Sequence, residues 1–175
     1  MAFAFGAKVS TGLLLPLLNA GDVLAVSIYR RHADWPQLAK MLPWAVAGLV
    51  LGTFVGGYLP DAVFRRLMGV MILVLVALMA FLDYRKAWDK VPIHSPWFSI
   101  IAGLSAGFTT MVGNAAGPVM SLYLLSMRLP KASFIGTGAW FFLIVNLIKV
   151  PLQVFFWHNM SAASLLADLG PFRPL

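Results

Sequence analysis

From Leu67 to Phe81 the chain carries no charged residue. Comparable apolar stretches recur along it, and the Lys and Arg residues collect at their ends, as in Arg30-Arg31, Arg65-Arg66, Arg85-Lys86 and Arg128 to Lys131. About 20 apolar residues in a helix cross the ~30 Å hydrocarbon core of a bilayer. In that core every backbone N–H and C=O must find a partner within the protein, so only helices and closed barrels can cross. A barrel would show alternating segments of about 10 residues, which this chain lacks. Of the 175 residues 61% are hydrophobic and 11% charged, against about half and a quarter in soluble domains. A soluble globular domain and a disordered chain are both excluded. The expected fold is all-α: a polytopic transmembrane helical bundle.

The net charge of +7 does not indicate nucleic acid. The basic residues flank the spans, as the positive-inside bias requires, whereas a nucleic-acid binder gathers them on one polar face. The expected partners are the lipid bilayer and a small anion; a homo-oligomer is left open. There is no Cys, hence no disulfide, thiol nucleophile or Cys-based metal site. There is no Glu, and His32, His94 and His158 fall at or beyond span ends without ligand spacing. Asp61 and Asp83 lie at membrane edges with no paired carboxylate nearby. No enzyme activity, metal centre or cofactor is expected. Met1 to Gly6 has neither a basic start nor a small-residue cleavage site and does not read as a signal peptide.

Five spans are expected. The first, Val9 to Tyr29, ends in a polar loop, Arg30 to Pro36. The second, Met41 to Leu59, places Gly48, Gly52 and Gly56 on one face, a seam of small residues that lets a neighbouring backbone come close. Val63 to Leu82 is the third. The polar segment 83–94 separates two related halves, 1–90 and 91–175. Trp97 to Met127 is too long for one span. Gly103 and Gly107 lead into Val112 to Pro118, where Gly frees the backbone and Pro cannot donate, so the helix should break or re-enter. The fifth span is Phe134 to Trp157, and the tail Ser161 to Leu175 begins like a helix. The segments 30–40 and 84–95 carry three Lys or Arg each, which places both in the cytoplasm.

The two halves share a pattern. Gly6 to Thr11 precedes Gly12-Leu-Leu-Leu-Pro16, and Gly113 to Ala116 precedes Gly117-Pro118 and an apolar helix. Paired Gly/Pro interruptions in two repeats point to a midplane site in a transporter. The amino end of a helix after such a break suits an anion. Lys8, Ser10, Thr11 and Gly12 at the first break, and Asn114 and Gly117 at the second, are the candidate substrate-binding residues. Ionisable groups within spans cost about 2.5–3.5 kcal/mol at the helix centre and point to function. Lys8, Asp22 and Lys149 qualify, and Lys149 is farthest from either interface. It either attracts an anion or pairs with an Asp such as Asp22. Asn146 is three residues before it, on the same face, and joins the candidate site.

The run Lys8-Val-Ser-Thr-Gly-Leu-Leu-Leu-Pro-Leu-Leu18, then Gly21-Asp22 and Tyr29 to Trp35, resembles the first repeat of the TauE/SafE family of sulfite exporters. Gly113-Asn-Ala-Ala-Gly-Pro-Val-Met-Ser-Leu-Tyr-Leu-Leu125, then Leu129-Pro-Lys131, Gly136-Thr137 and Phe141 to Leu147, resembles the second. The resemblance covers about 6–157. It implies a bacterial inner-membrane permease of two related halves that moves small anions bearing sulfur or a carboxylate, such as sulfite or an organosulfonate. It also suggests proton coupling, with Asp22 as the candidate. The family pattern has further spans before Gly6 and after the tail, so the chain is expected to be truncated. The alternative reading is a truncated, non-transporting membrane protein or assembly partner.

Overall fold

The computed structural model describes residues 14–85 and 95–157. Expectations for 1–13, 86–94 and 158–175 lie outside the described residues, among them Lys8, Ser10, Thr11 and Gly12. All described elements are helical. They are α1 (Leu15–Tyr29), a 3-10 turn (Arg30–His32), α2 (Trp35–Tyr58), α3 (Asp61–Tyr84), α4 (Pro96–Gly113), α5 (Ala116–Ser126), α6 (Lys131–Leu152) and a π turn (Gln153–Trp157). The all-α bundle is as expected, and α2, α3 and Lys131–Trp157 are each long and apolar enough to cross a membrane.

Proline sits in the first turn of α1, α2 and α4, where a missing N–H costs no hydrogen bond. Asp34 caps α2, its Oδ1 accepting the Gln37 N–H at 3.2 Å. Its own N–H donates to Thr137 Oγ1 at 2.8 Å. That cap starts the second span at Trp35, six residues before the expected Met41. The expected loop Arg30 to Pro36 therefore shrinks to a short turn, with Trp35 and Pro36 inside the helix.

The tightest packing joins α2 to α4. A Cβ on Gly48 would collide with the Leu104 carbonyl, and one on Gly107 with the Ala45 carbonyl. On Gly103 it would lie 2.6 Å from the Met41 carbonyl oxygen, and on Gly52 2.8 Å from Met111 Cβ. The seam expected at Gly48 and Gly52 is present, and α4 supplies a matching one. Gly56 departs from that expectation: its missing side chain leaves room for the Trp157 indole rather than a backbone. Gly103 and Gly107 do not loosen the chain toward the break, because α4 continues through both to Gly113. Their role is packing.

The break itself falls at Asn114-Ala115. Asn114 has a left-handed backbone, φ 52°, which Asn tolerates better than most residues. Its N–H donates to the Thr110 carbonyl at 3.0 Å, and the Ala115 N–H to that of Thr109 at 3.2 Å. Pro118 lies in the first turn of α5 and so follows the break rather than making it. Beyond it, α5 turns back along α4. The Phe98 and Tyr123 rings stack at 5.4 Å, and Ser99 Oγ and Tyr123 OH are 3.1 Å apart, so the end of α5 lies beside the start of α4. The interrupted segment enters and leaves at one end of the bundle.

Arg30, Arg31, Lys40, Arg85, Arg128 and Lys131 all lie at that same end, where α1, α3 and α5 finish and α2 and α6 begin. At the opposite end Arg65 is bridged to Asp61 at 3.2 Å. At the basic end α1 and α6 pack closely; the Gly136 backbone approaches the Tyr29 carbonyl, and Trp140 Nε1–H donates to the Arg30 carbonyl at 3.4 Å. Helix α3 is outermost. Phe64 is its one buried residue, and Val70, Leu73 and Val74 are exposed, an apolar surface suited to lipid.

Candidate functional site

Lys149 on α6 is fully buried. Its Nζ donates to the Thr110 carbonyl and to Asn114 Oδ1. It thus meets the carboxyl end of α4, where the helix dipole and unsatisfied carbonyls favour a cation. Both partners are neutral oxygens. The alternative of a Lys149–Asp22 pair is not what forms: Asp22 Oδ2 instead accepts from Asn146 Nδ2 at 2.7 Å. The reason is one of level. Asn146 stands one turn nearer the basic end than Lys149, and there α6 faces Asp22 on α1.

Asn146 is 3% exposed and Asp22 half-buried. The Oδ1 atoms of Asn146 and of Asn19, one turn before Asp22, are buried without a hydrogen-bond donor. Gly117, in the first turn of α5, borders open space: a Cβ there would meet nothing within 4 Å. The first-turn N–H groups of a helix have no intrahelical partner, so this is where α5 can present donors.

The structure therefore joins Asn114 to Lys149 directly and places Asn146, with Asp22, one turn away. Gly117 follows Asn114 by three residues. Helix α6 reaches Lys149 about 27 Å from its start at Lys131, at 1.5 Å per residue. Only eight residues separate Lys149 from Trp157, so the site lies toward the far end of α6 rather than at its middle.

A second polar group escaped the sequence reading. Tyr123, fully buried, contacts Ser99 and donates to Gln37 Oε1 at 3.2 Å. It stands beside a cavity of about 560 Å³ at the basic end, lined by Gln37, Lys40, Trp44, Ser95, Ser99 and Met127. The spacing of Gln37 to Lys40 and of Ser95 to Ser99 hints at two polar faces. Only the fold-back of α5 shows that they meet.

The described residues form a helical bundle with a broken helix and a buried lysine whose partners are neutral oxygens. The family model for the sulfite exporter TauE/SafE matches residues 1–172. The chain belongs to the TauE/SafE family. No curated protein and no solved structure matches it. TauE/SafE proteins are membrane transporters rather than enzymes, and the three long apolar helices among the described residues suit that setting.

Proposed function

We propose that this TauE/SafE member is a multi-pass permease of the bacterial inner membrane for a small oxyanion bearing sulfur or a carboxylate, with Lys149 and Asn114 at its anion site. One observation carries the reading: a fully buried lysine Nζ whose partners are both neutral oxygens. A buried charge is costly unless a counter-charge meets it, and a mobile anion supplies one. An oxyanion arriving at Lys149 takes the place of the Asn114 amide oxygen and makes the stronger charge-assisted bond. The open side of α5 at Gly117 offers it first-turn N–H groups. Lys8, Ser10, Thr11 and Gly12 are proposed as the counterpart from the first repeat.

The cavity at Lys40 is the mouth through which the anion reaches the site from the basic end. From Ser99, at that mouth, to Thr110 is about 16 Å along α4. The concentration of Lys and Arg at this end supports a cytoplasmic orientation for it. Asp22, joined through Asn146 to the turn bearing Lys149, is the group at which a coupling cation would be taken up.

The test is flux of radiolabelled sulfite, sulfoacetate and thiosulfate in proteoliposomes. Lys149→Ala and Gly117→Leu should each abolish the flux seen with the wild type. Unchanged flux in both variants removes the site. No flux of any of the three anions in the wild type favours a non-transporting member.

A further inference from the structure

We propose that Asn19, Asp22 and Asn146 form a sodium-ion site between α1 and α6, and that sodium is the ion coupled to anion movement. The coupling half of this proposal rests on the transport reading above; the ion site does not. Asp22 and Asn146 meet at one level of the bundle, and Asn19 stands one turn away on α1. Asn19 and Asp22 are three residues apart on α1, which places them as neighbours on one face. Asp22 in turn reaches Asn146 across the helix interface at 2.7 Å.

What is missing from this cluster is positive. Asn146 spends its amide N–H on Asp22, and this leaves its Oδ1 facing protein with no donor. Asn19 Oδ1 is buried in the same condition. Buried acceptors are normally satisfied, and each exception calls for an explanation. A proton on Asp22 would satisfy one of these oxygens and leave the other unmet. A hard cation accepts carboxylate and amide oxygens together. The charge count also favours a monovalent ion: one carboxylate and two neutral amides balance a single positive charge and leave a divalent ion half uncompensated.

The position explains how the two solutes would be linked. Asn146 and Lys149 stand one turn apart on α6, so the cation and the anion would bind within a few ångströms of each other, inside a low-dielectric interior where charges interact strongly. With Lys149 positive and Asp22 negative the empty pair of sites is neutral. Loading a sodium ion and a monoanion together keeps it neutral, and loading either alone does not. Each ligand therefore raises the affinity for the other, and by linkage the effect is reciprocal.

The experiment begins with the purified chain in detergent, its thermal stability measured in NaCl, KCl and choline chloride at equal ionic strength and without the anion. The expected result is a saturable rise in Tm of several degrees with sodium alone. Asn19→Ala and Asp22→Asn should weaken the apparent sodium affinity at least tenfold, and Lys149→Ala, which removes a neighbouring positive charge, should not weaken it. Equal Tm in the three salts, or a sodium response that survives Asp22→Asn, overturns the site. Asn19→Ala, on the less buried side of the cluster, keeps the test open if Asp22→Asn fails to fold. Sulfite flux in proteoliposomes should then follow an imposed sodium gradient. Sulfite flux that follows a pH gradient in sodium-free buffer overturns the coupling half. A sodium-specific Tm rise without flux of any anion supports the ion site and removes the transport reading; flux without the Tm rise does the reverse.

Discussion

Gly48, Gly52, Gly103 and Gly107 lie where α2 and α4 touch, and a methyl group on any of them would come within 3.0 Å of backbone or of the Met111 stem. Gly117 lies just past the break that ends α4, and a methyl group there would meet nothing within 4 Å. The same residue type thus serves two ends. In the seam, glycine removes volume so that two backbones lock together without lateral play. At the break it leaves volume unfilled beside the first turn of α5. The lock matters to the site, because α4 holds Thr110 and Asn114 in place for Lys149. A helix free to slide on α2 would not keep a carbonyl and an amide aimed at a buried ammonium.

The largest effect should come from filling the seam. Gly107→Ala drives a Cβ into the Ala45 carbonyl, a backbone atom that no rotamer change can move aside. Overpacking of this kind costs about 1–3 kcal/mol and more where backbone must shift. The expected outcome is loss of most of the monodisperse protein extracted in detergent, with a lowered Tm in what remains. A wild-type Tm would show that the seam is not what fixes α4.

Lys149→Met comes next, and it separates stability from transport. Methionine keeps much of the stem but removes the donor to the Thr110 carbonyl and to Asn114 Oδ1. Thr110 still accepts the Asn114 N–H, so the expected loss is about 1–3 kcal/mol. Sulfite flux should fall far more, to background. Flux near the wild-type rate with a lowered Tm would make Lys149 a structural clamp on α4 and nothing else.

A smaller change is expected from Tyr123→Phe. The ring keeps its stacking on Phe98 but gives up its hydroxyl contacts with Ser99 and Gln37. About 1 kcal/mol should be lost. In a cycle with Ser99→Ala the two losses should be non-additive, since both remove one contact. Additive losses would mean that the fold-back of α5 is held by the rings alone.

Much of this arrangement was legible in the residues. Long charge-free stretches give spans, and Gly113 to Pro118 marks the interruption, because few other residues tolerate the conformation Asn114 adopts. Three-residue spacing put Asn146 and Lys149 on one face. What the sequence did not show is whatever depends on a partner far along the chain. Lys149 takes a backbone carbonyl, and a backbone oxygen has no signature in the residue type that carries it. Asp22 meets Asn146 rather than Lys149 because of the axial register of α1 on α6, which no local pattern encodes. Gly103 and Gly107 sit close before the break and look like part of it, yet they answer Gly48 and Gly52 on another helix. Asn19 carries no such mark in the sequence, since an amide oxygen shows its significance only when its donor is missing.

The smallest effect on stability should come from Gly117, and for that reason it tests the open side of the comparison most sharply. With no atom within 4 Å of its Cβ position, Gly117→Ala should be neutral or should stabilise by up to about 0.5–1 kcal/mol, because alanine loses less backbone freedom than glycine in a helix. Gly117→Leu places a larger apolar group in the same space and should also leave stability within about 0.5 kcal/mol of the wild type, as substitutions that touch nothing do. The two variants should part in flux. If the space beside α5 is the anion's, alanine slows sulfite movement modestly and leucine abolishes it, at equal Tm. If both variants carry sulfite at the wild-type rate, the space belongs to lipid, and the first turn of α5 lies outside the path that leads to Lys149.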